Sequence, residues 1–301
     1  MVKIRVPATT ANLGPGFDCL GCAVDLYAEF VFEAIPSGVV VSGCAPKYCN
    51  DRNLAIRAFL YAAEQLGVPV PGIRLTVSSD IPVSRGLGSS AAFIAAGAAA
   101  AAALAGQTLP KEQLLKICTA LEGHPDNVAP AIYGGLCASM MDEGDVYTAQ
   151  VPLHPGVRFL ALIPSFPLST VLARQALPKS VELRDAVFNV GHTALLLRAL
   201  ETGDMPLVSA ALKDRLHQSY RFPLIAGSED IVQAAKENAA DAVFISGAGP
   251  TMMCLYHEDG FADGMAQSLE GMPGGWRAQK LGVDTQGILI SALQQPPRGQ
   301  H

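Results

Sequence analysis

Three observations predict a protein of two domains, each combining strands with helices. The chain has 301 residues, a length that fits one large domain or two ordinary ones. Half of the residues are hydrophobic and 16% are charged, which is typical of globular proteins. Strand-like and helical patterns occur in both halves, and a polar, Pro-containing stretch at 142–156 separates them. We therefore place a domain boundary between residues 1–155 and 156–301.

The first half alternates short strands with helices. Alternation of apolar and polar residues predicts strands at 3–7, 27–33, 38–42 and 73–78. Helical periodicity covers 53–66 and 111–121. The Ala-rich run at 91–106 is shorter than the ~20 residues that a bilayer crossing needs. We therefore expect this run to form a buried helix.

The second half opens with an apolar strand at 159–163. Helices are predicted near 180–201 and 207–216. Two further strands, at 242–246 and 252–257, are joined by a Gly-rich turn. The polar, Pro-rich tail at 294–301 is expected to fray.

Charge and cysteine usage exclude several functions. The chain has 21 Lys+Arg and 27 Asp+Glu, a net charge of −6, which argues against a nucleic-acid or anionic-membrane partner. The N-terminus lacks the apolar core of a secretory signal, and seven cysteines, an odd number, favour reduced thiols and a cytoplasmic location. Cys19 and Cys22 form a CxxC, but Cys44 and Cys49 are not spaced as metal ligands. We interpret these cysteines as small apolar residues, not as a metal or redox site.

A Gly/Ser-rich loop from Pro82 to Ala92 leads directly into the Ala-rich helix. Gly86 and Gly88 let backbone N–H groups turn inward, and the helix start adds unpaired N–H groups and a positive dipole end. Together these features make an anion site suited to the phosphates of ATP. The loop lacks the lysine of a Walker loop, and Ala91 stands where the dinucleotide fingerprint needs glycine. An ordinary Gly/Ser helix cap remains the alternative.

Three segments in order resemble the motifs of the GHMP small-molecule kinases. They are Pro7-Ala-Thr-Thr-Ala-Asn12-Leu-Gly-Pro-Gly16-Phe-Asp18, the loop at 82–92, and Ser246-Gly247-Ala-Gly249-Pro250-Thr251. The matches extend from near the start of the chain to near its end. The resemblance implies an α+β fold with an S5-domain-2-like nucleotide-binding domain at the N-terminus and a ferredoxin-like domain at the C-terminus.

The same resemblance implies a phosphotransferase that uses Mg·ATP. The phosphates would lie between the loop at 86–90 and the turn at 247–249. The implied ATP-binding residues are Asn53, Pro82, Arg85, Gly86, Leu87, Gly88, Ser89, Ser90, Ala91, Gly247 and Gly249. The implied Mg²⁺ ligands are Ser90 and Glu122. For Glu122 the alternative is an exposed helix-end glutamate, and for Asn53 it is a helix cap.

Within the family, the chain resembles the branch that phosphorylates L-homoserine. Arginine forks suit the carboxylate of this acceptor, and aspartates suit its ammonium. The implied substrate-binding residues are Asn12, Asp18, His124, Asp126, Arg174 and Arg221, and the implied catalytic residues are Ser90, Asp126, Asn127 and Arg174. Asp126 either acts as a general base or only binds the ammonium, and His124 either contacts the substrate or caps its turn. Phosphoryl transfer depends mainly on positioning and electrostatics, so both alternatives stay open.

Three other functions are alternatives to a homoserine-phosphorylating kinase. A sister kinase acting on mevalonate or another small alcohol would need the arginines but not the paired Asp18 and Asp126, because mevalonate has no ammonium. An ATP-binding sensor without turnover is disfavoured because Ser90, Glu122 and both arginines are intact. An interaction protein with three chance matches in order is less favoured still. The resemblance also implies a homodimer.

Overall fold

The computed structural model of the chain describes residues 1–293, so the predicted fraying of residues 294–301 lies outside the described residues. The strands are β1 (Val2–Ala11), β2 (Leu20–Ile35), β3 (Val39–Ser42), β4 (Gly72–Ser79), β5 (Leu136–Asp142), β6 (Asp145–Val151), β7 (Arg158–Ile163), β8 (Ala242–Ile245), β9 (Met252–Tyr256), β10 (Arg277–Leu281) and β11 (Leu289–Ala292). The helices are α1 (Leu54–Leu66), α2 (Ser89–Leu104), α3 (Lys111–Glu122), α4 (Val128–Tyr133), α5 (Thr170–Gln175), α6 (Leu183–Thr202), α7 (Met205–Ala211), α8 (Gln218–Arg221), α9 (Ser228–Glu237) and α10 (Phe261–Ser268).

The larger sheet has the strand order β11-β1-β2-β4-β3, and β5 joins it by pairing with β2 and with β6. Its pairs are antiparallel except for β3 with β4. Helices α2 and α4 lie against the sheet, and α1 and α3 contact α2. Alternating burial of Val2, Ile4 and Val6 along β1 shows which face this helical layer covers.

Helix α2 is the Ala-rich run, and it is buried along most of its length, as the sequence predicts. Small side chains let neighbouring helices approach closely. At Gly97 an added Cβ would lie 2.1 Å from the carbonyl oxygen of Ala55, so α1 and α2 touch through their backbones. Within residues 1–293, no helix combines the length and the apolar composition that crossing a bilayer requires.

The smaller sheet has the order β10-β7-β9-β8, with all of its pairs antiparallel. In chain order this is 4-1-3-2, the arrangement of ferredoxin-like folds. After Arg158, strand β7 is apolar because both of its faces are buried. Phe159 and Ala161 join the core shared with the larger sheet, whereas Leu160 and Leu162 join a second core with α9 and α10. The predicted α+β fold is confirmed.

Two predicted segments differ from the structure. The polar stretch at 142–156 contains strand β6, which forms a hairpin with β5 and is mostly exposed, so its polarity resembles that of a linker. The helix predicted at 207–216 ends at Ala211, because the Asp214 carboxylate accepts backbone N–H groups of residues 216–218 and starts α8 instead. Strand β11 returns to the larger sheet, and the domain boundary after residue 155 stays a prediction.

Candidate active site

The loop before α2 requires glycine at two positions. Gly86 and Gly88 have φ values of +76° and +70°, a region that side chains rarely adopt. An added Cβ at Gly86 would lie 2.3 Å from the carbonyl oxygen of Ser246, and one at Gly88 would lie 1.9 Å from the Oγ1 of Thr9. Gly88 is the N-cap of α2, so the unpaired N–H groups of the first turn begin at Ser89. The loop is therefore held against β1 with the helix start beside it.

The side chain of Arg85 holds the loop in place from one side. Its guanidinium donates to the carbonyl of Val83 at 3.0 Å, to that of Pro164 at 3.0 Å and to that of Ser165. Leu87 is buried, and its carbonyl accepts from the N–H of Thr9 at 3.3 Å. Any contact of Arg85 or Leu87 with ATP would therefore come from the backbone. Pro82 precedes this segment, and Ala91 is buried in α2.

The Gly-rich turn between β8 and β9 lies directly against this loop. The hydroxyl of Ser246 is 2.6 Å from the carbonyl of Gly86 and 2.9 Å from the hydroxyl of Thr10. A Cβ on Gly247 would lie 3.3 Å from the Gly86 oxygen. The sequence interpretation placed phosphates between loop and turn, but the backbones touch at this point. The turn, including Gly249, supports the loop, and a phosphate role for the turn stays a prediction.

Ser90 and Glu122 meet where α2 begins and α3 ends. The hydroxyl of Ser90 donates to Oε2 of Glu122 at 2.7 Å. Burial raises the pKa of Glu122, and the Ser90 hydrogen bond partly opposes this shift. A hydroxyl and a carboxylate beside a phosphate-binding loop are oxygen donors of the type that Mg²⁺ prefers, so these residues fit a magnesium ion.

An acidic cluster adjoins this pair. Asp18, His124 and Asp126 each present a ligand atom, and these atoms all lie within 4.8 Å of one another. His124 hydrogen-bonds through Nδ1 to Oδ1 of Asp126. Burial alone would lower the pKa of His124, but the bond to Asp126 and the nearby carboxylates raise it above its ordinary value. Oδ2 of Asp126 is buried without a hydrogen-bond partner among the described residues, so the cluster can accept a cationic group.

Arg174 and Asp18 form a bidentate ion pair. Both guanidinium NH groups of Arg174 are 2.9 Å from the carboxylate oxygens of Asp18. This bond raises the pKa of Arg174. Arg174 lies in the last turn of α5, whose N-terminus is capped by the hydroxyl of Ser169. Asp18 has a φ of +55°, and its N–H donates to Oδ1 of Asn12 at 2.8 Å, which fixes the carboxylate.

Arg221 is the largest fully buried side chain of the described residues. It donates to the carbonyl of Gly247 at 3.0 Å and to Nδ1 of His217 at 3.3 Å, and its Nε has no partner within residues 1–293. Burial and the nearby Arg174 lower its pKa. The guanidinium carbons of Arg174 and Arg221 lie 5.6 Å and 5.1 Å from the ring centroid of Phe17, so both cations contact the same aromatic ring. The structure thus brings both predicted arginines together.

Two predicted polar residues are fixed by their own contacts. Asn12 has a φ of +62°, and its Nδ2 donates to the carbonyl of Gly247 at 2.8 Å. Asn53 caps α1 by accepting from the N–H of Ala55 at 3.0 Å, and it donates to the carbonyl of Tyr48 at 3.0 Å. The capping role of Asn53 is therefore present in the structure, and its adenine role stays a prediction.

Three further residues escaped the sequence interpretation. The hydroxyl of Thr9 donates to Oδ1 of Asn127 at 2.8 Å, and both side chains are buried. His217 is fully buried, and its Nε2 lies 2.8 Å from the carbonyl oxygen of Gly14. The carboxylate of Asp214 accepts the backbone N–H of His217 at 3.0 Å. Thr9 lies inside the first motif, which is the one signal that could have identified it. For His217 and Asp214 the only signal was their place before Arg221.

The site thus combines an anion-binding helix start, an oxygen pair suited to a metal, and a cluster of opposite charges. A kinase that phosphorylates a small charged molecule needs these three features. Family models agree with this class. The description "GHMP kinases N terminal domain" matches residues 53–135, and "GHMP kinases C terminal" matches residues 196–270.

Similar proteins extend the agreement to nearly the whole chain. A homoserine kinase of Clostridium botulinum is 44% identical over 97% of this chain and 99% of its own length. The crystal structure of homoserine kinase from Cytophaga hutchinsonii superposes with a TM-score of 0.87 at 28% identity, covering 96% of this chain and 97% of that one. The crystal structure of an L. major mevalonate kinase shares the fold, with a TM-score of 0.72 at 16% identity, covering 95% of this chain and 96% of that one. The chain belongs to the GHMP kinase family, on its homoserine kinase branch.

Proposed function

We propose that this GHMP kinase transfers the γ-phosphoryl group of ATP to the side-chain hydroxyl of L-homoserine, giving O-phospho-L-homoserine. One observation carries the choice of acceptor. Two arginines and two aspartates, the charges that complement the carboxylate and ammonium of an amino acid, surround one site. The relative from Clostridium botulinum that is 44% identical over nearly the full chain is a homoserine kinase, which supports the same acceptor.

The carboxylate of homoserine binds between Arg174 and Arg221. Arg221 is fixed by Gly247 and His217 and keeps its Nε for a ligand. Arg174 lies against the same Phe17 ring and presents a planar fork. Two guanidinium groups around one carboxylate give both charge complementarity and orientation.

The ammonium of homoserine binds to Asp18 and Asp126. Oδ2 of Asp126 is a buried acceptor without a protein partner among the described residues, and an ammonium donor satisfies it. His124 holds the other oxygen of the same carboxylate and therefore orients it. This assignment makes Asp126 a binding residue, and no general base is needed, since phosphoryl transfer depends mainly on positioning.

The reacting hydroxyl lies at Asn127, next to the phosphate loop. Thr9 holds Oδ1 of Asn127, which leaves its Nδ2 free to donate to the acceptor oxygen. Thr9 also lies against Gly88, so one side chain joins the acceptor residue to the loop. On the donor side, the backbone N–H groups of the loop and the first turn of α2 bind the phosphates. Ser90 and Glu122 would hold Mg²⁺, which when bound neutralises charge on the β- and γ-phosphates.

The reaction is tested by identifying its products. Purified protein is incubated with ATP, MgCl₂ and L-homoserine, and phosphorus NMR follows the appearance of a phosphate ester and of ADP. The proposal predicts equal amounts of both products. ADP with free phosphate alone, or no turnover while ATP still binds, contradicts it, and the second result favours the sensor without turnover.

Mevalonate is the alternative acceptor, and the L. major mevalonate kinase shares this fold. At 16% identity that likeness concerns the fold alone. Mevalonate carries no ammonium, so it would leave Asp126 and its buried Oδ2 without a partner. Leaving a buried carboxylate oxygen without a hydrogen-bond partner is unfavourable, and homoserine is therefore the better fit.

The proposal includes the setting of the enzyme. It acts in the cytoplasm as part of threonine biosynthesis, uses Mg²⁺, and forms a homodimer. Seven free thiols support the compartment. Helix α6 supports self-association, because Leu183, Val187 and Val190 are exposed at helical spacing on one face. Sedimentation of the wild type against V187E/V190E tests the dimer, which the double variant is expected to dissociate.

A further inference from the structure

Cys44 and Cys49 lie on either side of a short 3₁₀ turn, Pro46–Tyr48, between β3 and α1. Their sulfur atoms are 3.5 Å apart, and the thiol of Cys49 lies 3.3 Å from the carbonyl oxygen of Cys44. Both thiols are free and partly exposed, whereas those of four other cysteines are buried, namely Cys22, Cys118, Cys137 and Cys254. These two thiols are therefore more accessible than the sequence interpretation as small apolar residues expects, although Cys44 also packs against the core. They are the two thiols that the fold brings into contact at the surface.

We propose that Cys44 and Cys49 form a dithiol modification site, which a small-molecule disulfide such as oxidised glutathione converts reversibly into an intramolecular disulfide. A disulfide bond is about 2.0 Å long, so the sulfur atoms must approach by roughly 1.5 Å. Side-chain rotation on a surface turn can supply a movement of this size. In a reducing compartment such a bond is a transient, redox-sensing one.

The chemistry balances with two electrons. The thiolate of Cys49 attacks one sulfur of the oxidant, forms a mixed disulfide and releases one thiolate, which takes up a proton. Cys44 then loses its proton and attacks the Cys49 sulfur, which releases the second thiol. Two cysteine thiols are oxidised and one small-molecule disulfide is reduced to two thiols. Burial and the hydrogen bond with Cys49 raise the pKa of Cys44 to about 11, so this thiol loses its proton less readily than an ordinary cysteine.

Asn53 connects the two cysteines to α1, because its side chain contacts both Cys44 and the first turn of the helix. The Nδ2 of Asn53 donates to the carbonyl of Tyr48 at 3.0 Å and contacts the sulfur of Cys44 at 3.8 Å, while its Oδ1 caps α1. Moving the Cys44 sulfur toward Cys49 therefore disturbs this cap. Helix α1 lies against α2, which starts at the phosphate loop. We expect the disulfide to raise the KM for ATP by about 2- to 10-fold. This change in KM rests on the proposed function, whereas formation of the disulfide bond does not.

Mass spectrometry tests the bond without any activity measurement. The full-length protein is equilibrated with mixtures of reduced and oxidised glutathione, alkylated and digested with trypsin. Cleavage after Lys47 separates the two cysteines, so the disulfide links the peptide Tyr48–Arg52 to the one that ends at Lys47. The proposal predicts a loss of about 2 Da and of two alkylation sites in the intact protein, reversed by dithiothreitol.

Matched variants identify the partner of Cys49, because the peptide that ends at Lys47 also contains Cys19 and Cys22. C44S must abolish the link, and C19S must keep it. A link that survives in C44S overturns the proposal, as does full alkylation of both thiols at every glutathione ratio or accumulation of a mixed disulfide alone. If the bond forms but the KM for ATP is unchanged, the site stands and its coupling to α1 is wrong. If the protein has no kinase activity, only the proposed function fails.

Discussion

The guanidinium of Arg174 and the carboxylate of Asp18 are joined by two hydrogen bonds of 2.9 Å, although the residues are 156 positions apart in the chain. A zwitterion that binds here offers a carboxylate to the arginine and an ammonium to the aspartate. On binding such a ligand, Arg174 would exchange the carboxylate of Asp18 for that of the ligand, and Asp18 would exchange the guanidinium of Arg174 for the ligand's ammonium. This exchange keeps both charges compensated, and it excludes ligands that carry only one of them.

Removing either arginine should weaken binding of homoserine. We expect R174A and R221K to raise the KM for homoserine by about 10- to 100-fold with a smaller change in kcat, because the proposed carboxylate contacts would be made in both ground and transition states. Lysine keeps the charge of Arg221 in the buried site but loses the planar fork. Steady-state kinetics with varied homoserine measures both constants. R184A, an exposed arginine on α6, serves as the control, and an unchanged KM in both site variants contradicts the assignment.

Replacing Glu122 should affect turnover more than acceptor binding. We expect E122A to lower kcat by roughly 100-fold, with partial recovery at high MgCl₂, because the variant lacks a carboxylate beside the phosphates. The control is E112A, in the first turn of the same helix. The measurement is kcat across a magnesium titration. A fully active E122A would remove Glu122 from the proposed metal site.

Thr9 should act through Asn127. Its hydroxyl donates to Oδ1 of Asn127 at 2.8 Å, so T9V frees this amide to rotate away from the acceptor hydroxyl. We expect T9V to lower kcat by about 10- to 100-fold while the KM for homoserine changes little, and T9S to recover most of the loss. In an N127A background, T9V should cause little further loss. Equal further loss in both backgrounds would show that Thr9 serves only the packing of β1.

Acid should destabilise the protein through His217. Burial lowers the pKa of His217 below its ordinary value of 6.5, and nearby Asp214 and Asp18 oppose this shift while Arg221 adds to it. The unfolded chain therefore binds a proton at a higher pH than the folded chain does. The stability contributed by neutral His217 is complete above pH 6.5 and is lost as the pH falls below it.

The difference between two proteins isolates this effect from other titrating groups. H217N keeps an acceptor for Arg221 but does not titrate. We expect the wild type to lose more Tm than H217N between pH 7.5 and pH 5, as measured by calorimetry. The lowered pKa of Asp214 lies below its ordinary 3.8, outside this interval. Parallel losses of Tm in the two proteins would contradict a neutral His217.

Much of the fold followed from local patterns. The helices α1, α2 and α3 and the strand β7 lie close to their predicted positions, because periodicity, Gly breaks and apolar runs are local signals. The sequence did not predict the hairpin of β5 and β6, since β6 and the second half of β5 are mostly exposed and carry little apolar alternation.

The residues that support the site could not be predicted in the same way. Thr9 meets Asn127 across 118 positions, and His217 meets Gly14 across 203, so only the sheet register and helix docking create these contacts. The contact of Cys44 with Cys49 spans five positions, yet it depends on a 3₁₀ turn that spacing rules for metal ligands do not describe. Motifs identified which residues carry charge, and the fold decided how those charges pair.

The most direct test of the central claim compares acceptors for one enzyme. ADP release is measured with Mg·ATP and L-homoserine, mevalonate, 4-hydroxybutanoate or no acceptor, at equal concentrations. Recognition of a zwitterion predicts turnover with homoserine alone, because the other acceptors lack the ammonium that we propose Asp18 and Asp126 to bind. Turnover of 4-hydroxybutanoate at the homoserine rate, or of mevalonate in preference to homoserine, would contradict the account.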